Sequence, residues 1–232
     1  SDVLGDRLDI IASGPTTPDI SRPGEARRIM EKFGIEPTPE MLRYLDEERP
    51  RVLDNVENHI TGSVRQLCLS AEKTCKQLGY DTIVLTDRLC CTARDAGSLL
   101  GAMAMYHAND ERPTAFIMGG ETVVRLTGKG LGGRNQEIAL ASSIGLDGLD
   151  NACVFSVGSD GTDGPTDAAG GYCDGETVKK LARAGMDVEA VLDDNDSYHA
   201  LKAIDGLIMT GPTGTNVNDL TVLLIRGKSE SR

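Results

Sequence analysis

The residues of this 232-residue chain whose types and spacing best suit chemistry are four aspartates close together in sequence. They lie in or just after the segment 158–170, which reads GSDGTDGPTDAAG, and no Lys, Arg or His separates them: Asp160, Asp163, Asp167 and Asp174. Carboxylates on a loop that follows a predicted strand suit a hard cation such as Mg²⁺. The alternative is that these residues only form turns, because Asp, Gly, Thr and Pro all favour them. The lack of a counter-charge favours a functional role.

A second candidate is the segment 119–137, which reads GGETVVRLTGKGLGGRNQE. Its glycines and cations include Gly128, Lys129, Gly130, Gly133 and Arg134. Glycines expose backbone N–H groups, and a helix predicted to begin at Arg134 adds its dipole. We therefore predict an anion-binding loop in which Arg134 holds a phosphate or carboxylate through two hydrogen bonds. A hairpin tip with solvated cations is the alternative.

The same glycines also fit GxGxxG, the fingerprint of dinucleotide-binding folds. The preceding run 122–127 contains Arg125 and alternates polar with apolar residues, whereas the fingerprint follows a strand buried on both faces. The acidic residue expected about 20 positions later would be Asp147 or Asp150, and both lie in a predicted turn. The dinucleotide interpretation is therefore the weaker one.

Two further segments have side chains that could line a polar ligand. The segment 210–219 reads TGPTGTNVND and offers hydroxyl groups and backbone amides, and the segment 193–198 reads DDNDSY. In the second segment, Asn195 or Asp196 could instead be the N-cap of the helix that follows.

Composition excludes several classes of function. The chain has 36 acidic and 24 basic residues, a net charge of −12, which argues against a general nucleic-acid binder because such proteins need a basic face. No stretch approaches the roughly 20 apolar residues of a membrane span, and the first residues do not resemble a signal peptide. The six cysteines form no CxxC pair, so we expect reduced thiols and a cytoplasmic protein.

Hydrophobic periodicity and helix-stop residues predict alternating helices and strands. Helices are predicted at 21–33, 38–48, 63–79, 93–107, 134–143, 176–184 and 197–203, and strands at 82–86, 114–118, 122–127, 153–157 and 220–225. Up to residue 118, this alternation is typical of an α/β layer with parallel strands. Most of the 27 glycines follow residue 118, which indicates a second part with unusually long glycine-rich loops. We place the domain boundary near Pro113.

Five sequence words, read together, resemble one family, the ATP-dependent glycerate 2-kinases whose C-terminal part is called the MOFRL domain. The words are IASGPT at 11–16 with Pro18 and Asp19, GKG at 128–130 with GGRNQE at 132–137, DGTDGPTDAAG at 160–170, NDSY at 195–198 and TGPTGTNVND at 210–219. They occur in the family's order and span the chain. The resemblance implies an α/β fold, with the end of a Rossmann-like α/β/α domain over residues 1–112 and a smaller MOFRL-like α/β domain over residues 113–232.

The resemblance also implies an activity, the transfer of a phosphoryl group from ATP to the 2-hydroxyl of D-glycerate, with Mg²⁺ as cofactor. Arg134 would neutralise the transferred group or hold the glycerate carboxylate, and Asp160 and Asp163 would bind Mg²⁺ or orient the attacking hydroxyl. The residues expected to line the nucleotide or the glycerate are Ser13, Gly14, Thr16, Gly128, Lys129, Gly130, Gly133, Asn135, Thr213, Gly214, Thr215 and Asn216.

The family further uses an N-terminal lysine and a glycine-rich phosphate loop, both of which would precede Ser1. We therefore expect the chain to be the C-terminal part of a longer enzyme, inactive without its N-terminal half, and a homo-oligomer is compatible with the sequence. Two alternatives stay open. One is an NAD(P)H-dependent hydroxypyruvate reductase, a name that some relatives carry, and the other is a non-catalytic ligand-binding module.

Overall fold

The computed structural model describes residues 3–22, 24–47 and 51–227. The chain divides into two compact units. The smaller unit runs from Asp6 to Ile60, and the larger one combines residues 61–227 with a short stretch before residue 6.

The smaller unit contains two short helices. Helix α1 (Glu25–Lys32) begins after Gly24, which has a φ of 74°, so it starts four residues later than predicted. Helix α2 (Pro39–Asp46) begins where the sequence predicts, because Thr38 Oγ1 accepts a hydrogen bond from Met41 N at 3.2 Å and Pro39 occupies the first helical position. The predicted end of this helix at residue 48 lies outside the described residues.

The larger unit is a mixed α/β structure. Its elements in chain order are α3 (Val64–Gln77), β1 (Asp81–Leu89), α4 (Ala93–His107), β2 (Thr114–Gly120), α5 (Arg134–Leu146), β3 (Ala152–Gly158), β4 (Gly170–Asp174), α6 (Thr177–Arg183), α7 (Val188–Asp193), α8 (Ser197–Ala203), β5 (Leu207–Ile208) and β6 (Asp219–Ile225). Most of these bounds agree with the predicted ones to within a few residues.

The six strands form one sheet in the order β1-β2-β6-β3-β4-β5. Only β1 and β2 run parallel, joined by the α4 crossover, and the other four pairings are antiparallel. The parallel pairing predicted for the first half of the chain is therefore confirmed for β1 and β2, whereas the later strands, for which the sequence predicted no direction, pair antiparallel. The last strand, β6, inserts between β2 and β3, and hydrophobic periodicity carries no information about which strands become neighbours.

Helices cover both faces of this sheet because the central strands are apolar on both sides. On β2, Phe116 and Met118 pack towards α4 and α5, whereas Ala115 and Ile117 pack towards α3. Alternate residues of a strand point to opposite faces, so one strand contributes to two cores.

Helix α5, which carries Arg134, is buried on nearly all sides. Ile138 packs in the core shared with the sheet, and Leu140 packs against Leu181 and Leu192 of α6 and α7. A helix without a polar face is typical of a position between two layers. The first turn of α5 is therefore held rigidly against the sheet.

Two differences from the prediction concern the glycine-rich half. The segment 122–127 forms no strand, and its only strand-like pairing is a single bridge between Val123 and Thr92. Strand β4 and helix α7 were not predicted, because β4 begins with two glycines and α7 has only six residues. Propensity alone gives little signal for such elements.

The predicted boundary at residue 113 stays a prediction. The β1–β2 pairing crosses this point within one sheet, and the compact units divide near residues 5 and 61 instead. The Rossmann-like part of the predicted fold likewise stays a prediction.

Candidate functional site

Three strand ends meet at one edge of the sheet. Gly120, the last residue of β2, and Gly158, the last residue of β3, both pair with Asp219 at the start of β6. The glycine-rich segments that leave β2 and β3, and the segment that enters β6, therefore lie side by side. This edge brings together three of the five sequence words.

The guanidinium of Arg134 is held there by two carboxylates. Its Nε and Nη2 donate to the two oxygens of Asp219, with Nη2 3.1 Å from Oδ1, and its Nη1 lies 3.2 Å from Glu121 Oε1. The Asp219 side chain is 6% exposed, whereas those of Arg134 and Glu121 are each 34% exposed. The hydrogen bonds to Asp219 raise the pKa of Arg134, and burial opposes that rise. The bidentate pair sets the orientation of the cation.

Asp160 lies beside this cluster. A Cβ added to Gly158 would lie 3.1 Å from Asp160 Oδ1 and 3.6 Å from Asp219 Oδ1, so both carboxylates border the same glycine. The backbone carbonyl of Asp160 accepts a hydrogen bond from Thr213 N at 3.1 Å. Asp160 and Thr213 are therefore brought together as predicted residues, and the neighbouring Gly214, Thr215 and Asn216 are exposed on the same loop.

Asp163 holds the first turn of α5, and its predicted role as a metal ligand stays a prediction. Its Oδ1 accepts from Asn135 N and Asn135 Nδ2, and its Oδ2 accepts from Gln136 N at 2.8 Å. Burial raises the pKa of Asp163, and these hydrogen bonds partly counteract it. Gly133, the N-cap residue of α5, has no side chain to cap the helix, so Asp163 supplies the cap from another loop.

We expect Asp163→Ala to lower the free energy of unfolding by about 2 kcal/mol, because it leaves buried N–H groups of the first turn of α5 unpaired. Urea unfolding followed by circular dichroism measures this. The control Asp150→Ala changes an exposed aspartate without a hydrogen-bonded side chain and should stay within about 0.5 kcal/mol of wild type. Equal stability of Asp163→Ala and wild type would show that the cap contributes nothing.

The predicted anion loop has no free backbone amides over residues 128–131. Its N–H groups donate to one segment: Gly128 N to Asn195 Oδ1 at 2.9 Å, Lys129 N to Asp194 Oδ1 at 3.0 Å, Gly130 N to the Asp194 carbonyl at 2.7 Å and Leu131 N to Asp196 Oδ1 at 2.9 Å. These amides cannot also cradle a phosphate. Residues 128–131 thus support neither an amide nest nor a dinucleotide fingerprint, and an anion site at the start of α5 stays a prediction.

The glycines of this loop serve close packing instead. A Cβ at Gly128 would lie 2.2 Å from the Cα of Asp194, and one at Gly130 would lie 2.4 Å from the Cβ of Asp196. No side chain fits between the two segments, so the loop and the segment 194–196 form one continuous backbone layer. The side chain of Lys129 is on the exposed surface of that layer.

Asn195 is the centre of this layer. It is 7% exposed and has a φ of 56°, a left-handed conformation that Asn tolerates better than most residues. Its Oδ1 accepts from Thr127 N and Gly128 N, and its Nδ2 donates to the Arg125 carbonyl and to Glu137 Oε2. The N-cap of α8 is Asp196, whose side chain makes no capping hydrogen bond, so the helix-cap alternative does not describe Asn195.

A cavity of about 810 Å³ lies beneath the loop. Its wall includes Arg134, Glu121 and Glu137 together with apolar side chains such as Val123 and Leu126. These charged groups comprise one cation and two carboxyls, so the cavity by itself is not set up to attract an anion.

The residues do not form a metal site of their own. In the described part of the chain, no group of three or more Asp, Glu, His or Cys side chains is arranged to hold a metal ion. Both oxygens of Asp163 already accept N–H groups, and Asp219 is bound to Arg134. Of the two predicted metal ligands, only Asp160, whose Oδ1 accepts from Thr162 N, keeps a carboxylate oxygen without a hydrogen bond from the described residues.

Ser13, Gly14 and Thr16 belong to the smaller unit. There, Ser13 and Gly14 have φ values of 66° and 67°, and Gly14 N donates to the Ile11 carbonyl at 2.8 Å. The tight turn explains the glycine, because a Cβ at Gly14 would lie 2.6 Å from the Asp9 carbonyl oxygen. Their predicted ligand role stays a prediction.

Sequence reasoning missed Asp219, Glu121 and Glu137 as site residues. Asp219 and Glu137 each end a sequence word and Glu121 lies in the segment 119–137, but none stands in a pattern typical of catalysis. The available signal was the helix: residues 134 and 137 share one face of the first turn of α5, so Glu137 was bound to lie near Arg134.

Comparison with known proteins identifies the same family as the five sequence words. The MOFRL family model matches residues 114–219, and the model of a domain of unknown function (DUF4147) matches residues 1–46. A glycerate kinase of Macaca fascicularis is 30% identical over 280 residues, a match that covers 97% of this chain and 71% of that protein. The chain belongs to the glycerate kinase family. The resemblance predicted from the sequence is confirmed.

Two microbial members of the glycerate kinase family are more similar in sequence. A D-glycerate 2-kinase of Thermotoga maritima is 48% identical and a glycerate 2-kinase of Pyrococcus horikoshii is 41% identical. Crystal structures of proteins from these two organisms match with TM-scores of 0.93 and 0.88. The matches cover 97% and 98% of this chain but 55% of each relative, so the chain spans about half their length.

The described residues of this glycerate kinase family chain include no helix long and apolar enough to cross a membrane.

Proposed function

We propose that this chain is the C-terminal part of an ATP-dependent kinase that phosphorylates the 2-hydroxyl of D-glycerate. The observation that supports it best is the arrangement around Arg134, where segments matching the family's words meet at the cavity that this arginine lines. Phosphoryl transfer needs positioning and charge neutralisation more than covalent chemistry by the protein. A rigidly oriented guanidinium on a preorganised wall provides both.

In this proposal the three charged residues of the cluster have separate tasks. Asp219 holds Nε and Nη2 of Arg134 and so positions the guanidinium. Glu121 touches only Nη1, at 3.2 Å, and is partly exposed. A glycerate carboxylate or a phosphoryl oxygen would take the place of Glu121 at Nη1, because an anion with two oxygens competes well for an arginine.

ATP is the proposed phosphoryl donor, and Mg²⁺ would arrive with it. Mg²⁺ usually binds through one or two carboxylates together with the phosphates of the nucleotide, so an incomplete protein site is compatible with it. Among the predicted ligands, Asp160 keeps an available oxygen and stays the candidate, whereas Asp163 caps α5. The predicted cytoplasmic location and a homo-oligomer are part of the same proposal.

The test is to incubate D-glycerate and MgATP with this chain and with the same protein extended to the length of its relatives, and to read the products by phosphorus NMR. We expect 2-phosphoglycerate only from the longer protein. The cavity of this chain has one cation against two carboxyls, and the resemblance places a lysine and a phosphate loop in the other half, so we expect that half to supply further positive charge.

Each other product has a definite meaning. A 3-phosphoglycerate signal would keep the kinase and change the hydroxyl that reacts. Oxidation of NADH with hydroxypyruvate, and no phosphoglycerate, would establish the reductase instead. Binding of glycerate or nucleotide without turnover by the longer protein would indicate a ligand-binding module.

A further inference from the structure

Glu137 is a buried carboxyl that the cluster around Arg134 does not use. It lies three residues after Arg134 on the first turn of α5 and is 4% exposed. Asn195 Nδ2 donates to its Oε2 at 3.3 Å, and no hydrogen bond from the described residues reaches its Oε1. Its Oε1 is therefore free to accept a hydrogen bond or a proton from a ligand or water in an adjoining cavity.

Glu137 lies in the wall between two cavities. It lines the 810 Å³ cavity together with Arg134, and it also lines a second, polar cavity of about 350 Å³ on its other side. Asn195 is the other residue that both cavities share. A carboxyl placed in this way can exchange a proton with a ligand on one side and with solvent on the other.

The charged surroundings of Glu137 are mixed. Burial raises the pKa of its carboxyl, the hydrogen bond from Asn195 and the positive charge of Arg94 lower it, and the negative charge of Asp163 raises it. The charged groups lining the two cavities around it are Glu121 and Arg134 on one side, and Arg94, Asp95, Arg125 and Asp193 on the other. A base that works near neutral pH benefits from such a raised value.

We propose that Oε1 of Glu137 accepts the proton of the substrate hydroxyl during phosphoryl transfer. The O–H bond breaks and its proton moves to Glu137, while the hydroxyl oxygen forms a bond to the γ-phosphorus of ATP. The bond between the γ-phosphorus and the β,γ-bridging oxygen breaks, and its electron pair leaves with ADP. The second cavity then gives the proton a route to solvent. This inference rests on the proposed kinase function.

The test compares Glu137→Gln with wild type in the protein extended to the length of its relatives. Glutamine keeps the size of the side chain and an acceptor for Asn195 Nδ2 but cannot take a proton. We expect kcat to fall about 100-fold or more, with KM for D-glycerate within about threefold of wild type. The acidic limb of the kcat profile against pH should disappear from the residual activity.

Two further variants separate this role from a structural one. The control Glu189→Gln changes an exposed glutamate in the first turn of α7 and should leave kcat unchanged. Glu137→Asp keeps the carboxyl but moves it back from the cavity by one methylene group. This variant should therefore retain the acidic limb of the kcat profile with a lower kcat. Glu137→Gln should melt no lower than wild type at neutral pH, because it removes a buried charge.

The outcomes are distinguishable. An active wild type with unchanged kcat in Glu137→Gln overturns this inference and leaves the kinase intact. A lower kcat in Glu137→Gln with the acidic limb retained also overturns it, since another group would then be the base. A wild type that makes no phosphoglycerate overturns the kinase proposal and this inference with it.

Discussion

Gly128→Ala is expected to lower the free energy of unfolding by about 3 kcal/mol, at the upper end of overpacking substitutions. The added Cβ would lie 2.2 Å from the Cα of Asp194 and 2.3 Å from its carbonyl oxygen. Backbone atoms cannot rotate away as a flexible side chain can. The loop must therefore separate from the segment 194–196 and lose its hydrogen bonds to Asn195. Thermal unfolding should show a melting temperature lower by roughly 6–12 °C.

The matched control is Gly62→Ala. A Cβ there would meet only Val217 Cγ1, at 3.4 Å, an ordinary contact. Its melting temperature should stay close to that of wild type. If Gly128→Ala and Gly62→Ala have the same melting temperature, the loop can move away from the segment 194–196, and the close packing of the two does not stabilise the fold.

Arg134→Ala is expected to lower kcat of the extended protein about 10³-fold, the lower range for an arginine that neutralises a transferred phosphoryl group. Arg134→Lys should recover only part of this, because an ammonium cannot reproduce the two-oxygen contact with Asp219 and still reach a substrate oxygen. Steady-state kinetics with D-glycerate and MgATP measure both effects.

The same variant has a stability cost that can be measured in the chain itself. Arg134→Ala leaves the buried Asp219 carboxylate without its cation, which we expect to cost roughly 2 kcal/mol, less than for a fully buried pair because Arg134 is partly exposed. Arg183→Ala, an exposed arginine at the end of α6, is the control for both measurements. Unaltered turnover in Arg134→Ala would remove this residue from the mechanism.

The sequence words indicated which segments lie around the cavity, but they did not indicate which contacts each residue makes. Gly128, Gly130 and Gly133 stood out by spacing alone, and all three line the cavity. Spacing could not show that the amides of this loop bind residues 194–196, about 65 positions away. A glycine permits both the approach of a ligand and the approach of another backbone, so the pattern is the same in either case.

The acidic loop shows the same limit. Asp160 and Asp163 belong to one sequence word. In the structure, Asp160 borders the Arg134 cluster, whereas Asp163 caps α5. The bare Gly133 at the helix start needs a remote acceptor, and which aspartate supplies it depends on how two loops pack. A local sequence pattern therefore cannot predict which aspartate caps the helix.

By itself, the sequence determined the family, most of the helix and strand positions and the loops that surround the site, because these depend on local periodicity, on turn residues and on the order of the words. Only the tertiary structure decided the antiparallel neighbours of β6, the pairing of Arg134 with Asp219 and the place of Glu137 between two cavities. These features join residues far apart in the chain. Their partners are selected by burial and by the need to pair buried charges and hydrogen-bonding groups, which act only once the elements are packed.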